Sequence, residues 1–358
     1  MTIPREWADD GALPGYESIT LPLPSEDDGV LCGTLVRRKH DASSLDESSH
    51  TRRAVLYVHG FVDYFFQTHM ADAFAAAGWD FYALELRRYG RSLRGGNRPN
   101  YCTDLAEYDA ELSAAIDIVR EEDGHDTLAL VGHSTGGLIT SWYMHRGARR
   151  ARVQALVLNS PFLDFNVPGP RRWTLPIARV VGALLPTLAD PNALSRWYGE
   201  SLLQEHHGEW TYDLRWKPLL GFPAYFGWVR AVLAVQDRVA SGLSIESPVL
   251  LMHAGSSAWP KGVWREEYLA NDIVLNVAHM KARGPRLGTD VTLHAFAGGI
   301  HDLVLSKQPV RGLVLASLVE WLNARCSSSA SADRRAHPYV AATYQIDQPG
   351  THGGARHA

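Results

Sequence analysis

The chain has 358 residues, 46% of them hydrophobic and 21% charged, with a formal net charge of −4, which suits one large soluble α/β domain carrying an insertion, or two domains. The small negative charge without any basic block argues against nucleic acid and anionic membranes as partners, and no stretch approaches the ~18–20 apolar residues of a membrane span. Three scattered cysteines, Cys32, Cys102 and Cys326, are too few for a disulfide framework or zinc site, and the first ten residues lack the features of a signal peptide, so a cytoplasmic enzyme is the default expectation.

Taken in chain order, residues 1–29 read as an N-terminal extension. The first strand is expected over residues 30–38, followed by a polar loop to Arg53. Residues 54–58 form a short apolar run ending at His59-Gly60, as a buried parallel strand should. A helix over 66–77 is stopped by Gly78, and 80–84 is the next strand. Leu105, Tyr108, Leu112, Ile116 and Val119 recur at spacings of three and four, predicting an amphipathic helix that opens at Asp104. Residues 128–131, 155–158, 249–252 and 291–296 give four further strands, and 310–323 a last helix. Strands alternating with helices predict an α/β fold with a doubly wound, mostly parallel sheet and its site at the strands' C-terminal ends.

Residues 162–246 break that alternation, and five of the 11 tryptophans fall there: Trp173, Trp197, Trp210, Trp216 and Trp228. The apolar stretch 175–189 is interrupted by Pro176, Arg179 and Pro186, which argues against a membrane helix and for a helical cap inserted into the core. Extra core packing is the bland alternative. The core is thus expected over 30–161 and 247–325. The tail, 326–358, is rich in Ser, Ala, Arg, His and Gly without periodicity and is expected to be disordered.

Chemistry concentrates at Gly132-His133-Ser134-Thr135-Gly136. A bare G-x-S-x-G is weak, but here an apolar strand precedes it and a plausible helix follows. Ser134 is then presented on a strained strand-to-helix turn, where side chains at 132 and 136 would collide. A serine hydroxyl needs a base and a group that orients the base. His301 lies in the loop beyond the last strand and is the expected base. His294 falls inside the strand, His279 in helical sequence, and His206 and His207 in the cap, where an adjacent pair makes a poor metal site. For the acid, Asp272 follows the strand at 249–252 and precedes a helix; Glu267 is next, with Glu266 and Asp290 behind it. The oxyanion donors are expected to be the backbone N–H groups of Thr135 and Phe61. His59 is better suited to orienting its loop than to catalysis. No metal and no organic cofactor is called for.

The His59-Gly60 turn, Tyr89-Gly90-Arg91-Ser92, Gly132-His133-Ser134-Thr135-Gly136-Gly137, the Asp272 segment and Gly298-Gly299-Ile300-His301-Asp302 together resemble an α/β-hydrolase. The nearest branch is the monoacylglycerol lipase/lysophospholipase-like group, also called serine-aminopeptidase-like, and the resemblance covers about residues 30–324. It implies the α/β-hydrolase fold with an inserted helical cap and a Ser134–His301–Asp272 triad. One departure stands out. The acid of that family usually follows its strand closely, whereas here Gly255-Ser256-Ser257-Ala258 supplies no carboxylate and the chain runs on to Asp272.

The expected activity is hydrolysis of carboxylic esters through an acyl-enzyme, with the apolar cap favouring an apolar acyl group on a small or lipid-like substrate. Amide or peptide hydrolysis is the alternative; it needs a carboxylate to anchor a substrate amine, for which Glu200, Glu205, Glu209 and Asp213 are available. A non-catalytic binding protein of the same fold is the third reading. No nucleic acid and no integral membrane contact is expected.

Overall fold

The computed structural model describes residues 6–39, 52–167, 169, 172–190, 195–326 and 340–344. The chain first lays down three antiparallel strands, β1 (Ala8–Asp9), β2 (Tyr16–Glu26) and β3 (Gly29–Arg38). It then alternates through β4 (Arg53–Val58), α1 (Thr68–Ala76), β5 (Asp80–Glu85), α2 (Asp109–Asp117), β6 (Thr127–His133), α3 (Thr135–Arg146) and β7 (Ala155–Asn159). Next come α4 (Thr174–Leu184), β8 (Ala189–Asp190), α5 (Arg196–Leu202), β9 (Ala224–Tyr225) and α6 (Phe226–Ser241). Alternation resumes with β10 (Val249–Ala254), α7 (Val277–Arg283), β11 (Val291–Phe296), α8 (Val310–Cys326) and β12 (Val340–Tyr344). Ten of the strands form one sheet in the order β1-β2-β3-β5-β4-β6-β7-β10-β11-β12, parallel from β5 onward.

The inner strands are buried on both sides, so their alternate residues feed two cores. Along β4, Ala54, Leu56 and Val58 join the core under α2, α3 and α6, while Val55 and Tyr57 join the one under α1 and α8. In β6, Leu128 and Leu130 oppose Ala129 and Val131 in the same way. Burying one such aliphatic side chain contributes about 1.5–3 kcal/mol. This two-sided anchoring fixes where each strand ends, and it is from those ends that the functional loops leave.

The structure differs from the sequence expectation in three places. Residues 8–26 are not an appendage, because β2 pairs with β3 along most of its length. Pro22 and Pro24 hide this strand in the sequence; β1 reaches only Ser18 and Glu17, so Pro22 lies where no further strand needs its missing N–H. The helix expected over 104–122 is composite: a turn at Leu105–Tyr108 capped by Asp104 and Glu107, then α2, then a π-helical turn at Ile118–Glu122. All five of its periodic apolar residues are buried. Within the tail, Val340–Tyr344 pairs in parallel with β11 and the Tyr344 ring stacks on Phe296, so this part is ordered. The remaining tail residues beyond Cys326 lie outside the described residues.

Residues 162–246 contribute α4, α5, α6 and the short β8–β9 ladder, placed between β7 and β10. Helices α4 and α6 pack so closely that a Cβ on Gly182 would fall 2.2 Å from the Phe226 carbonyl oxygen. Among the described residues, no helix is long and apolar enough to cross a membrane.

Candidate active site

Ser134 sits between β6 and α3 with φ 52° and ψ −116°, a conformation that costs an L-residue roughly 1–3 kcal/mol. The turn closes because two glycines leave room for it. A Cβ on Gly136 would lie 2.3 Å from the His59 carbonyl oxygen, and one on Gly132 would lie 2.4 Å from Thr140 Oγ1. The Ser134 N–H donates to the Asn159 carbonyl (3.0 Å), and its own carbonyl accepts from Leu138 (3.2 Å) and Phe162 (3.0 Å). The backbone is therefore pinned on every side while the hydroxyl is left to point into the cleft.

His301 follows β11 and Asp272 follows the excursion after β10. The Ser134 hydroxyl donates to His301 Nε2 at 3.0 Å, and His301 Nδ1–H donates to Asp272 Oδ2 at 2.9 Å. The other Asp272 oxygen accepts the backbone N–H groups of Val274 (2.8 Å) and Leu275 (2.7 Å), which fixes the carboxylate's orientation. All three side chains are buried. The chain between β10 and Asp272 loops out and returns. Asp272 N–H donates to the Ser256 carbonyl and the Asp272 carbonyl accepts from Ala258, so the acid lies back beside the strand end. The long separation in sequence is a short one in space.

The rival residues are engaged elsewhere. Glu267 is half exposed beside Arg265, Glu266 accepts from Trp264, and Asp290 pairs with Arg325 at the far end of β11. His294 bonds Ser317, His207 stacks on Trp264, and His206 is exposed. His59 is buried; its Nδ1–H donates to the Gly60 carbonyl (2.8 Å) and its Nε2 accepts the Leu86 N–H (3.1 Å). Burial is the main cause that lowers its pKa to about 4, so the neutral ring pins its loop.

Phe61 and Thr135 both line the cavity that opens over Ser134. Thr135 is the first residue of α3, where N–H groups have no intrahelical acceptor. The cavity measures about 490 Å³, within the range of small-molecule sites. Its apolar wall comes from Phe61, Phe162, Phe165, Phe226 and Trp228, with Trp228 packed on Phe61 at 4.3 Å between ring centroids. Of the five cap tryptophans only Trp228 lines it; Trp173 is exposed, Trp210 bonds the Leu305 carbonyl, and Trp216 packs on Tyr64.

Around His301 the lining turns polar, and here sequence reasoning missed several residues. Lys217 Nζ, from the cap, meets Asp63 Oδ1 at 2.7 Å with both side chains buried. His133 Nδ1 lies 3.4 Å from Asp63 Oδ2 and 3.9 Å from Asp302 Oδ2. Asn159 donates to Asp302 (2.7 Å) and accepts the Leu303 N–H (3.2 Å), which ties the His301 loop to the end of β7. Burial pushes the Asp63 carboxyl up, but Lys217 and His133 overcome it and hold Asp63 well below the usual carboxylate range. Burial likewise opposes a charged His133, yet Asp302 and Asp63 raise its pKa above the ordinary value. Asp63, His133 and Asp302 stand close enough to share a cation, and the Lys217 ammonium already supplies positive charge there. No local pattern announces Lys217 or Asp63, since the partners lie 154 residues apart.

A family model described as serine aminopeptidase, S33, matches residues 49–308. The chain belongs to this family. Among curated proteins, a monoacylglycerol lipase of Mycolicibacterium smegmatis is 26% identical over 288 residues, covering 76% of this chain and 88% of that protein. A monoacylglycerol lipase structure from Paleococcus ferrophilus is similar with TM-score 0.57 and 20% identity, covering 76% of this chain and 94% of that one. A soluble variant of the Saccharomyces cerevisiae monoglyceride lipase, in complex with a substrate analogue, gives TM-score 0.61 and 16% identity, covering 92% and 97%. The fold of this S33 family member is the α/β-hydrolase fold.

The neutral His59 carries a pH signature. Its folded pKa of about 4 lies below the ordinary 6.5, so the unfolded chain takes up this proton first. Its contribution to stability is complete above pH 6.5 and is lost as pH falls toward 4, by up to about 3 kcal/mol. Denaturant unfolding of the wild type should weaken across this window, and His59→Gln should show a shallower fall. Equal slopes would place the neutral imidazole elsewhere.

Proposed function

We propose that Ser134, His301 and Asp272 are the catalytic triad of a carboxylic ester hydrolase, acting on esters of an apolar acyl chain with a small polar alcohol, as in a monoacylglycerol. The observation that carries the reading is the unbroken relay from Asp272 through His301 to the strained Ser134, opening into an aromatic-walled cavity. A cytoplasmic location is part of the proposal and rests on the low cysteine content.

In the proposed reaction, Ser134 Oγ attacks the ester carbonyl carbon as its proton passes to His301 Nε2. The tetrahedral oxyanion receives the N–H groups of Phe61 and Thr135. Asp272 holds the Nδ1–H tautomer and stabilises the imidazolium without taking its proton. His301 then returns the proton to the departing alcohol oxygen, leaving Ser134 acylated. Water then attacks the acyl carbon as its proton passes to His301, and His301 gives that proton to Ser134 Oγ as the acyl–Oγ bond breaks and the acid leaves.

The lining supports the substrate class. Phe162, Phe165, Phe226 and Trp228 offer an acyl chain a dry wall. Near His301 the lining includes Asp63, Tyr198 and Lys217, a polar side suited to the leaving alcohol. The carboxylates offered by the amide alternative do not line the cavity: Glu200 pairs with Arg196, Glu209 with Arg311 and Asp213 with Arg215, while Glu205 is exposed.

Ser134→Ala and His301→Ala should each lower kcat by roughly 10⁴–10⁶, and Asp272→Asn by about 10⁴, with the circular dichroism spectrum unchanged. Wild-type-like turnover in a folded Ser134→Ala protein sinks the reading. Across acyl lengths, kcat/KM should climb roughly fourfold per methylene, at about 0.8 kcal/mol each, until the cavity is full, and then fall. Trp228→Ala should flatten this climb while sparing acetate esters; a wild-type profile peaking at acetate means that the aromatic wall does not hold the acyl chain.

A further inference from the structure

Phe61 is followed by a strained residue. Val62 is β-branched and buried, yet has φ 51°, a region such residues almost never occupy unless their surroundings hold them there. The next two side chains are gripped by one segment of the cap. Asp63 Oδ1 meets Lys217 Nζ at 2.7 Å. The Tyr64 hydroxyl accepts the Asp213 N–H at 2.6 Å, and the Tyr64 ring packs edge-on against Trp216 at 5.1 Å. Asp63 and Lys217 line the cavity of Ser134, whereas Tyr64 and Trp216 line a separate groove.

We propose that Lys217 is a positioning residue for the reaction: through its ion pair with Asp63 the cap holds the Val62 turn, and thereby the Phe61 N–H, where the oxyanion forms. The proposal rests on the oxyanion role given to Phe61 above. It assigns the cap a part in the chemical step itself, beyond shaping the cavity. The physical requirement is a tether that is strong, short and dry. A buried ion pair meets it, because neither partner can leave without stranding the other's charge away from water.

The test separates positioning from stability and from substrate contact. p-Nitrophenyl acetate is too short to use the aromatic wall, and a short trifluoromethyl ketone becomes an oxyanion only after Ser134 adds to it. Lys217→Met should lower kcat on the acetate roughly 10–100-fold, less than the ~10²–10³ lost when a donor is deleted outright. KM should stay within about threefold, and Ki for the ketone should rise by the same factor as kcat falls. The double variant Lys217→Met/Asp63→Asn removes the stranded buried charge, so it should regain thermal stability without regaining kcat. If either folded variant keeps kcat and Ki within about threefold of wild type, the pair is structural and the proposal is overturned. A loss confined to KM for long-chain esters also overturns it, making Lys217 a substrate contact. Wild-type protein inert toward both probes removes the hydrolase reading itself, whereas an active wild type with an unchanged variant removes only the role of Lys217.

Discussion

The backbone of Ser134 is the constraint on which the rest of the site depends. Held at φ 52°, it would relax if any neighbour let go. Its N–H is fixed by the carbonyl of Asn159 at the end of β7, and its carbonyl takes bonds from α3 and from the chain leaving β7. Asn159 also reaches sideways with its amide to Asp302, next to His301. The Ser134 turn and the His301 loop thus share one residue as an anchor. The β-sheet supplies the stiffness, since β6 and β7 are paired in register up to His133 and Asn159. Strain at one residue is stored because two buried strands and a helix start cannot shift independently.

Electrostatics complete the site in an unusual way. Asp63, Asp302, Lys217 and His133 are all buried beside His301. Such a group is tolerable only because its members neutralise one another, and removing one partner is costlier than never having had the pair. The cluster draws on four parts of the chain: the loop after β4, the elbow, the cap and the loop after β11. Each of these carries something the site needs. Their mutual attraction therefore favours one arrangement of the loops over others that would pack equally well.

What was legible in the sequence follows from how local each requirement is. The elbow could be read because close approach forces glycine at 132 and 136 around a serine, all within five residues. His301 could be read because it directly follows the last long apolar run. Asp272 was legible only through topology, as the loop from Ser256 to Asn271 folds out and returns to the end of β10. Lys217 and Asp63 were invisible: their pairing is set by the cap's path over the sheet, and neither residue sits in a pattern. The N-terminal strands were masked by two prolines that an almost open sheet edge tolerates. The wealth of tryptophan over 162–246 does not mark the cavity, since Trp197, Trp210 and Trp216 contact Trp264, the Leu305 carbonyl and Tyr64 and only Trp228 of the five lines it.

The central claim is that fold, strain and relay together make Ser134 a nucleophile. Its most direct measurement is mass spectrometry of the folded protein after brief exposure to a fluorophosphonate, with peptide mapping of the adduct. The expected result is one adduct per chain, on Ser134, with no adduct over the same time in His301→Ala. A folded wild-type protein that takes up no label, or carries it on a residue other than Ser134, contradicts the claim.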